Sequence, residues 1–155
     1  MAIAAVSAVG ITAAPLADGA SLQASTAGRL AETRQQAMRR IVHAWSRLLN
    51  ARDNAGIARL FRLPAVFEQG SFVYRLTTAQ QVAQWHDGLP CAGRVTSIRI
   101  AGRFATAEFV LSDRKGSECD APGATVGARF EIVRGKIVSW VQVGVSKEAP
   151  SGPVL

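Results

Sequence analysis

The side chains that could carry acid–base chemistry are few. Glu68 follows a short apolar stretch, and neighbouring residues of a strand point to opposite faces, so either Glu68 or Gln69 faces the interior. A carboxylate in an apolar pocket has a raised pKa that suits proton abstraction, which makes Glu68 a candidate general base. A surface carboxylate paired with an arginine is the alternative. Tyr74 is a second catalytic candidate, because its hydroxyl could reach the mouth of such a pocket.

His86 is the third catalytic candidate. It stands between Trp85 and Asp87 near the end of a predicted helix, although adjacent helical residues do not face each other as a His–Asp dyad requires. His43 is predicted to be exposed, because it lies about 200° around its helix from Trp45. The two histidines are far apart and no Cys/His metal spacing occurs, so the sequence predicts neither a metal nor a cofactor.

The two cysteines are candidates for a disulfide. A hairpin centred on Gly102 would place Cys91 opposite Asp113, and Cys119 follows in the next loop. A bond between them is therefore geometrically allowed. In an exported protein we expect a disulfide that closes this loop onto the strand entry, and in the cytosol two free thiols.

Apolar periodicity predicts the elements that position these residues. Helical spacing covers 29–50, and Asp53 or Asn54 can cap a short second helix that Pro64 ends. Thr77 and Gln80 resemble the capping box of a third helix, which ends near Gly88. Short extended segments are predicted at 65–68 and 72–76. From Val95 onward a period of two predicts longer strands at 95–100, 104–112, 127–133 and 136–145. Helices followed by a meander of strands predict an α+β domain.

Composition excludes several classes of protein. The chain has 155 residues, enough for one domain, and 48% hydrophobic residues exclude disorder. The net charge is +7, and 15 of the 18 basic residues are arginines scattered along the chain. Nucleic-acid binding is not predicted, because a binding face would cluster these charges and interleave aromatic residues.

The first residues resemble an export signal in part. The small apolar stretch 2–14 has the length of a signal-peptide core and is too short to span a membrane, but no basic residue precedes Arg29. We therefore expect 1–28 to be a signal-like or disordered arm, 29–146 the domain and 147–155 a flexible tail. A periplasmic or secreted location is the prediction, with a cytoplasmic one as the alternative.

Three segments together resemble a known superfamily. The strings LLNARDNAGIARLF, AVFEQG and ARFEIVRGKIVSWVQV are similar to those of SnoaL-like and nuclear-transport-factor-2-like (NTF2-like) proteins, the group that includes ketosteroid isomerase. The resemblance covers about 34–145. It implies a cone-shaped, curved mixed or antiparallel sheet, packed by three N-terminal helices around one pocket, and it implies a homodimer.

The acid–base residues of the best-known relatives are replaced. Ketosteroid isomerase uses an aspartate base with a tyrosine and a protonated aspartate as its oxyanion hole. The resemblance places Gln69, Trp45 and Ala128 at those three positions, and none of them moves a proton at neutral pH. Limonene-epoxide hydrolase has a tryptophan two residues before a catalytic aspartate, where this chain has Trp140 and Gln142. Its Arg-x-Asp pair would fall on 109 and 111, or on 108 and 110, and neither alignment restores it.

Three functions follow as hypotheses. The first is binding of a small apolar molecule in the pocket, with ligand contacts from Trp45, Phe67, Gln69, Trp140 and Gln142. The second is an isomerase, cyclase or epoxide-hydrolase type of enzyme, with Glu68, Tyr74 or His86 as a re-sited catalytic group. The third is an interaction module of a cell-envelope complex, because the same fold can serve as an assembly part.

Overall fold

The computed structural model describes residues 18–145, with side chains from residue 26 onward. Two compact units divide between Thr33 and Arg34. The described part of the first unit is helical, and the hydroxyl of Thr33 donates to the carbonyl of Arg29 at 2.8 Å. The second unit carries the sheet and the hydrophobic core. Within the described residues, no helix has a stretch long and apolar enough to cross a bilayer.

The described residues form three helices and six strands. In chain order they are α1 (Asp18–Ala51), α2 (Asn54–Ala58), β1 (Phe61–Gln69), β2 (Phe72–Leu76), α3 (Ala79–Asp87), β3 (Cys91–Ala101), β4 (Phe104–Asp113), β5 (Thr125–Val133) and β6 (Lys136–Val143). All six strands join one open sheet in the order β2-β1-β6-β5-β4-β3. Neighbouring strands are antiparallel except β1 and β6, which are parallel. The predicted α+β class with a mixed sheet is confirmed.

Two helix ends differ from the sequence prediction. Helix α1 begins at Asp18 rather than Arg29, so part of the expected N-terminal arm is helical. This stretch is rich in alanine, which favours a helix even without an apolar stripe. The remaining predictions for the termini, an arm at 1–17 and a tail at 147–155, lie outside the described residues. The capping box of α3 is formed by Thr78 and Gln81, one residue later than expected, because TTAQQ contains the motif twice.

The strands are longer than their alternating segments. Strand β1 begins at Phe61, which we expected in α2, and Pro64 lies inside the strand. Strand β3 begins at Cys91, and its partner is Asp113, as the hairpin about Gly102 predicts. A side chain at Gly93 would approach the carbonyl oxygen of Val110 to 2.7 Å, so this part of β3 pairs because the residue is glycine.

Helix α1 covers the inner face of the sheet with one apolar stripe. Met38, Val42, Trp45 and Leu49 follow one another at intervals of three or four residues, and all are buried. Trp45 is central, since its ring lies edge-on to those of Phe109 and Phe130 and 6.3 Å from that of Trp140. The aromatic residues therefore fix the distance between helix and sheet around this point.

The helix ends beside this core are held by a buried arginine. Arg114 follows β4 and is only 3% exposed. Its guanidinium donates to the carbonyls of Leu49, His86 and Leu89 at 3.1, 2.6 and 2.9 Å. A further nitrogen donates to the side-chain oxygen of Asn54 at the start of α2. One side chain thus donates to carbonyls at the ends of α1 and α3 and contacts α2; the Leu49 and His86 carbonyls also accept from the backbone N–H groups of Arg52 and Leu89.

Candidate functional site

Two rows of residues cross the inner face of the sheet. In the first row, Trp140 of β6 lies between Phe67 of β1 and Phe130 of β5. Phe67 and Phe130 are fully buried, and Ala105 of β4 continues the row. These residues fill the interior beneath α1. The row is therefore core, and it forms the floor of the space beyond it.

The second row borders a cavity. It lies two residues after the first row on β1, β4 and β6, and two residues before it on β5. Ala128 of β5 pairs with Gln142 of β6 and with Ala107 of β4. Gln69 stands two residues after Phe67 on β1, so it shares the inner face. Gly127 and Ala128 leave room that the large residues of the first row do not.

The cavity has a volume of about 320 Å³. Trp45 and Leu49 of α1, Gln69, Trp140 and Gln142 lie in its lining. Ala128 also lines it, so the three residues that the resemblance places at the isomerase acid–base positions line one cavity. Phe67, which we expected to contact a ligand, lies outside this lining in the fully buried row.

Three polar groups of the lining lack partners. The indole nitrogen of Trp140 is buried and has no hydrogen-bond partner among the described residues. The side-chain amides of Gln69, half-buried, and Gln142, exposed, likewise make no hydrogen bond within that part of the chain. A buried donor without a partner costs about 1–3 kcal/mol, so the Trp140 N–H favours any guest that brings an acceptor.

His86 lies outside the cavity lining and is fully buried behind Trp45. The Trp45 indole can only donate, and its nitrogen lies 3.0 Å from His86 Nε2. His86 Nδ1 therefore carries the proton and donates to the carbonyl of Val82 at 2.8 Å. Burial lowers the pKa of His86 from 6.5 to about 4, a shift that the bond to Val82 opposes. The histidine is neutral at pH 7, and it positions Trp45.

The side chain of Asp87 turns away from that histidine. Its carboxylate accepts hydrogen bonds from Arg52 at 3.2 Å and from the amide of Asn54 at 2.9 Å. His86 and Asp87 are therefore not a dyad, as their adjacency on a helix predicts. His43, expected to be exposed, is exposed.

Glu68 and Tyr74 also lie outside the lining of this cavity. Glu68 alternates with Phe67 and Gln69, so its half-buried side chain occupies the opposite face of β1. Tyr74 lies on the edge strand β2, is 40% exposed and stacks on Phe72 with ring centroids 6.3 Å apart. No hydrogen bond links either residue to the cavity within the described part.

The rim carries a carboxylate that the sequence reasoning missed. Asp120 lies in the loop between β4 and β5 and lines the cavity beside Pro90 and Cys91. Cys91 is bonded to Cys119 in a disulfide, which holds the neighbouring Asp120 at this place. Its position directly after a cysteine of the suspected pair was the one available signal, since the loop has no periodicity.

The same three residues resemble a metal site but cannot act as one while the disulfide is intact. The sulfur atoms of Cys91 and Cys119 and a carboxylate oxygen of Asp120 lie within 4.8 Å of one another. Both sulfurs are committed to the disulfide, and metal binding requires thiolates. The carboxylate alone is not a site.

Comparisons with known proteins establish the fold. No protein-family model matches the chain, and no curated protein matches its sequence significantly. Several solved structures do match the chain. A putative polyketide cyclase from Sinorhizobium meliloti is 16% identical with a TM-score of 0.56, over 69% of this chain and 98% of its own. A putative ketosteroid isomerase from Kribbella flavida is 18% identical with a TM-score of 0.56, over 76% and 84%.

A third structure carries a small ligand. A hypothetical protein of ketosteroid isomerase-like fold from Catenulispora acidiphila, in complex with trimethylamine, is 18% identical with a TM-score of 0.53, over 66% of this chain and 83% of its own. At such identities the likeness concerns the fold. The chain has the NTF2-like, ketosteroid isomerase-like fold, as its resemblance to the superfamily implied.

Proposed function

We propose that this protein binds a small, neutral and largely apolar molecule that carries a hydrogen-bond acceptor, and that it does so without acid–base catalysis. The observation that carries the proposal is a cavity lined mainly by aromatic and small apolar residues, with the amides of Gln69 and Gln142 in its lining and the Trp140 N–H buried in its wall without a partner among the described residues. Trp45, Gln69 and Gln142 would supply the other contacts. The volume lies within the range of small-molecule sites. The trimethylamine complex of a protein with this fold supports the same use of the fold.

The charges of the lining support a neutral ligand. Asp120 is the one ionisable side chain that lines the cavity within the described residues, since Cys91 is in a disulfide. A carboxylate at the rim repels an anion, and no cationic side chain among the described lining residues would compensate an anion's charge. A carbonyl group can accept from the Trp140 indole and from the amide of Gln69 or Gln142.

The placement of the candidate bases outside the cavity lining favours binding over catalysis. A general base must reach the proton it removes, within about 3 Å or through one water. The candidates Glu68, Tyr74 and His86 lie outside the lining, and His86 is held by Trp45 and Val82. Asp120, at the rim, is the remaining carboxylate in the lining of this cavity.

A matched pair of probes tests the proposal. We expect 2-acetylnaphthalene to bind about tenfold more tightly than 2-ethylnaphthalene, because the two have similar shapes and only the ketone accepts from Trp140. The Trp140→Phe variant should lose most of the preference for the ketone. Trp85→Phe is the control, because Trp85 does not line the cavity, and it should keep the preference for the ketone. Calorimetric titration measures all six affinities, and equal binding of the two probes by the unaltered protein would contradict the proposal.

Export to an oxidising compartment is part of the proposal, supported by the disulfide. We expect protein recovered from such a compartment to take up no iodoacetamide at Cys91 or Cys119 until a reductant is added. Mass spectrometry of the labelled protein measures this, with the reduced and unfolded protein as the control. Two labelled cysteines before reduction would contradict the idea. The homodimer implied by the resemblance stays a prediction that the mass in solution tests.

A further inference from the structure

A second cavity lies at the opposite end of the same helix and strand. Its volume is about 430 Å³. The first cavity touches Trp45 and Leu49 of α1 and the start of β5, whereas the second touches the Arg34–Ile41 part of α1 and the end of β5. About 13 Å of strand separates Ala128 from Ile132. The two cavities share no lining residue, so this one is independent of the proposed function.

The second cavity combines an apolar floor with a basic rim. Met38 and Ile132 in its lining are buried members of the hydrophobic core, and Ala37, Ile41 and Val133 extend this surface. Three arginines also line it, one each from α1, the β3–β4 turn and the β5–β6 turn: Arg34, Arg103 and Arg134. Arginines from three separate elements converge here on a hydrophobic surface.

Only one of these positive charges is neutralised within the described residues. Arg103 Nε lies 2.8 Å from a carboxylate oxygen of Glu131, and its guanidinium also lies over the ring of Phe104. The side chains of Arg34 and Arg134 make no hydrogen bond or ion pair in that part of the chain. Two guanidinium groups thus remain free to bind an anion, and their planar donors suit a carboxylate or a phosphate.

The two turns are held in place around the cavity. The backbone N–H of Ile132 donates to the carbonyl of Arg103 at 2.8 Å, which links the β3–β4 turn to β5. Arg134 has a φ of 52° and Gly135 a φ of 74°, as in a two-residue hairpin turn. Asparagine or glycine is the usual residue at the first of these positions, and an arginine there carries a backbone penalty. The turn is therefore fixed, and it presents an arginine where the backbone favours another residue.

We propose that this cavity binds an anionic amphiphile, that is, a carboxylate or phosphate head on an alkyl chain. The head would lie between Arg34 and Arg134, and the chain would lie on the floor that Met38 and Ile132 form. An anion without a chain would leave the floor exposed to water, and a neutral amphiphile would leave the guanidiniums without a partner. The site therefore requires both parts of the ligand.

Soluble probes test both requirements. We expect octyl phosphate, used below its micelle concentration, to bind about tenfold more tightly than inorganic phosphate or neutral octyl glucoside. The double variant Arg34→Gln/Arg134→Gln should lose about tenfold or more in affinity for octyl phosphate. The control Arg40→Gln/Arg94→Gln removes the same net charge from exposed residues outside the cavity and should bind normally.

Several results would overturn the proposal. If octyl glucoside binds as well as octyl phosphate, the site is merely apolar, and if inorganic phosphate does, it is merely basic. An equal loss in both double variants would assign the binding to net charge. A binding assay with vesicles of phosphatidylglycerol tells whether the ligand is a free amphiphile or a lipid in a membrane. Binding to these vesicles without binding to octyl phosphate would indicate a membrane surface effect, and it would reject the cavity as the site. Because the ketone probes use the other cavity, failure here leaves the proposed function unaffected.

Discussion

Replacement of Arg114 by methionine should lower the free energy of unfolding by about 3–5 kcal/mol. The substitution removes the donors of three backbone carbonyls, those of Leu49, His86 and Leu89, and of the Asn54 side chain. Methionine has similar length but no donor, so the Leu89 carbonyl and the Asn54 side-chain oxygen would lose their donor. The carbonyls of Leu49 and His86 would keep only the backbone N–H groups of Arg52 and Leu89. The ends of α1 and α3 also lose a positive charge that their dipoles favour. Urea unfolding followed by circular dichroism measures the change.

The neighbouring residue supplies a matched control. Lys115 is exposed, and only its backbone carbonyl is used, as an acceptor for Arg52. Lys115→Met makes the same change of charge one residue away and should alter stability by less than about 0.5 kcal/mol. Arg114→Lys keeps the positive charge but has one ammonium group in place of three separate guanidinium nitrogens. We therefore expect a loss of unfolding free energy smaller than that of Arg114→Met. Equal effects of the two methionine variants would show that net charge, rather than the buried contacts, determines the stability.

The local elements were predictable because each has a local signal. The run of β-favouring residues predicted β2 at its observed bounds. The turn at Gly102 predicted the β3–β4 hairpin, and a register shift between Val95 and Ser97 brings Cys91 opposite Asp113. Asp53 caps α2 through a hydrogen bond from the Gly56 N–H, one of the two alternatives that the sequence left open. These features depend on residues that are close in sequence, so they can be predicted without the tertiary structure.

The placement of buried polar groups was not predictable in this way. Arg114 stands in a polar loop among exposed residues, and nothing nearby in sequence indicates that it meets Leu49, which lies 65 positions before it. Asp120 reaches the cavity rim only because a disulfide holds its loop. Trp45 was expected to contact a ligand, and the acceptor of its N–H is His86, 41 residues away. Long-range partners determine each of these roles, and a single sequence shows none of them.

Acidification should destabilise the protein through His86. Because burial holds the pKa of His86 at about 4, the folded protein keeps this ring neutral at pH values where the unfolded chain, with a pKa near 6.5, takes up a proton. The group has no pH-dependent effect above the unfolded pKa. Between about pH 6.5 and 4, protonation favours the unfolded state and stability falls. We expect a loss of about 2 kcal/mol between pH 7.5 and 5 from this residue.

Two glutamine variants separate this effect from other titrations. His86→Gln keeps an acceptor for Trp45 and a donor for Val82 but does not titrate, so its stability should vary about 2 kcal/mol less over the same range. His43→Gln removes an exposed histidine and should retain the full dependence. Urea unfolding at pH 7.5 and 5 gives the comparison. If His86→Gln retains the wild-type dependence, the ring is protonated in the folded state. In that case Nε2 could not accept from Trp45, whose N–H would then be free for a ligand.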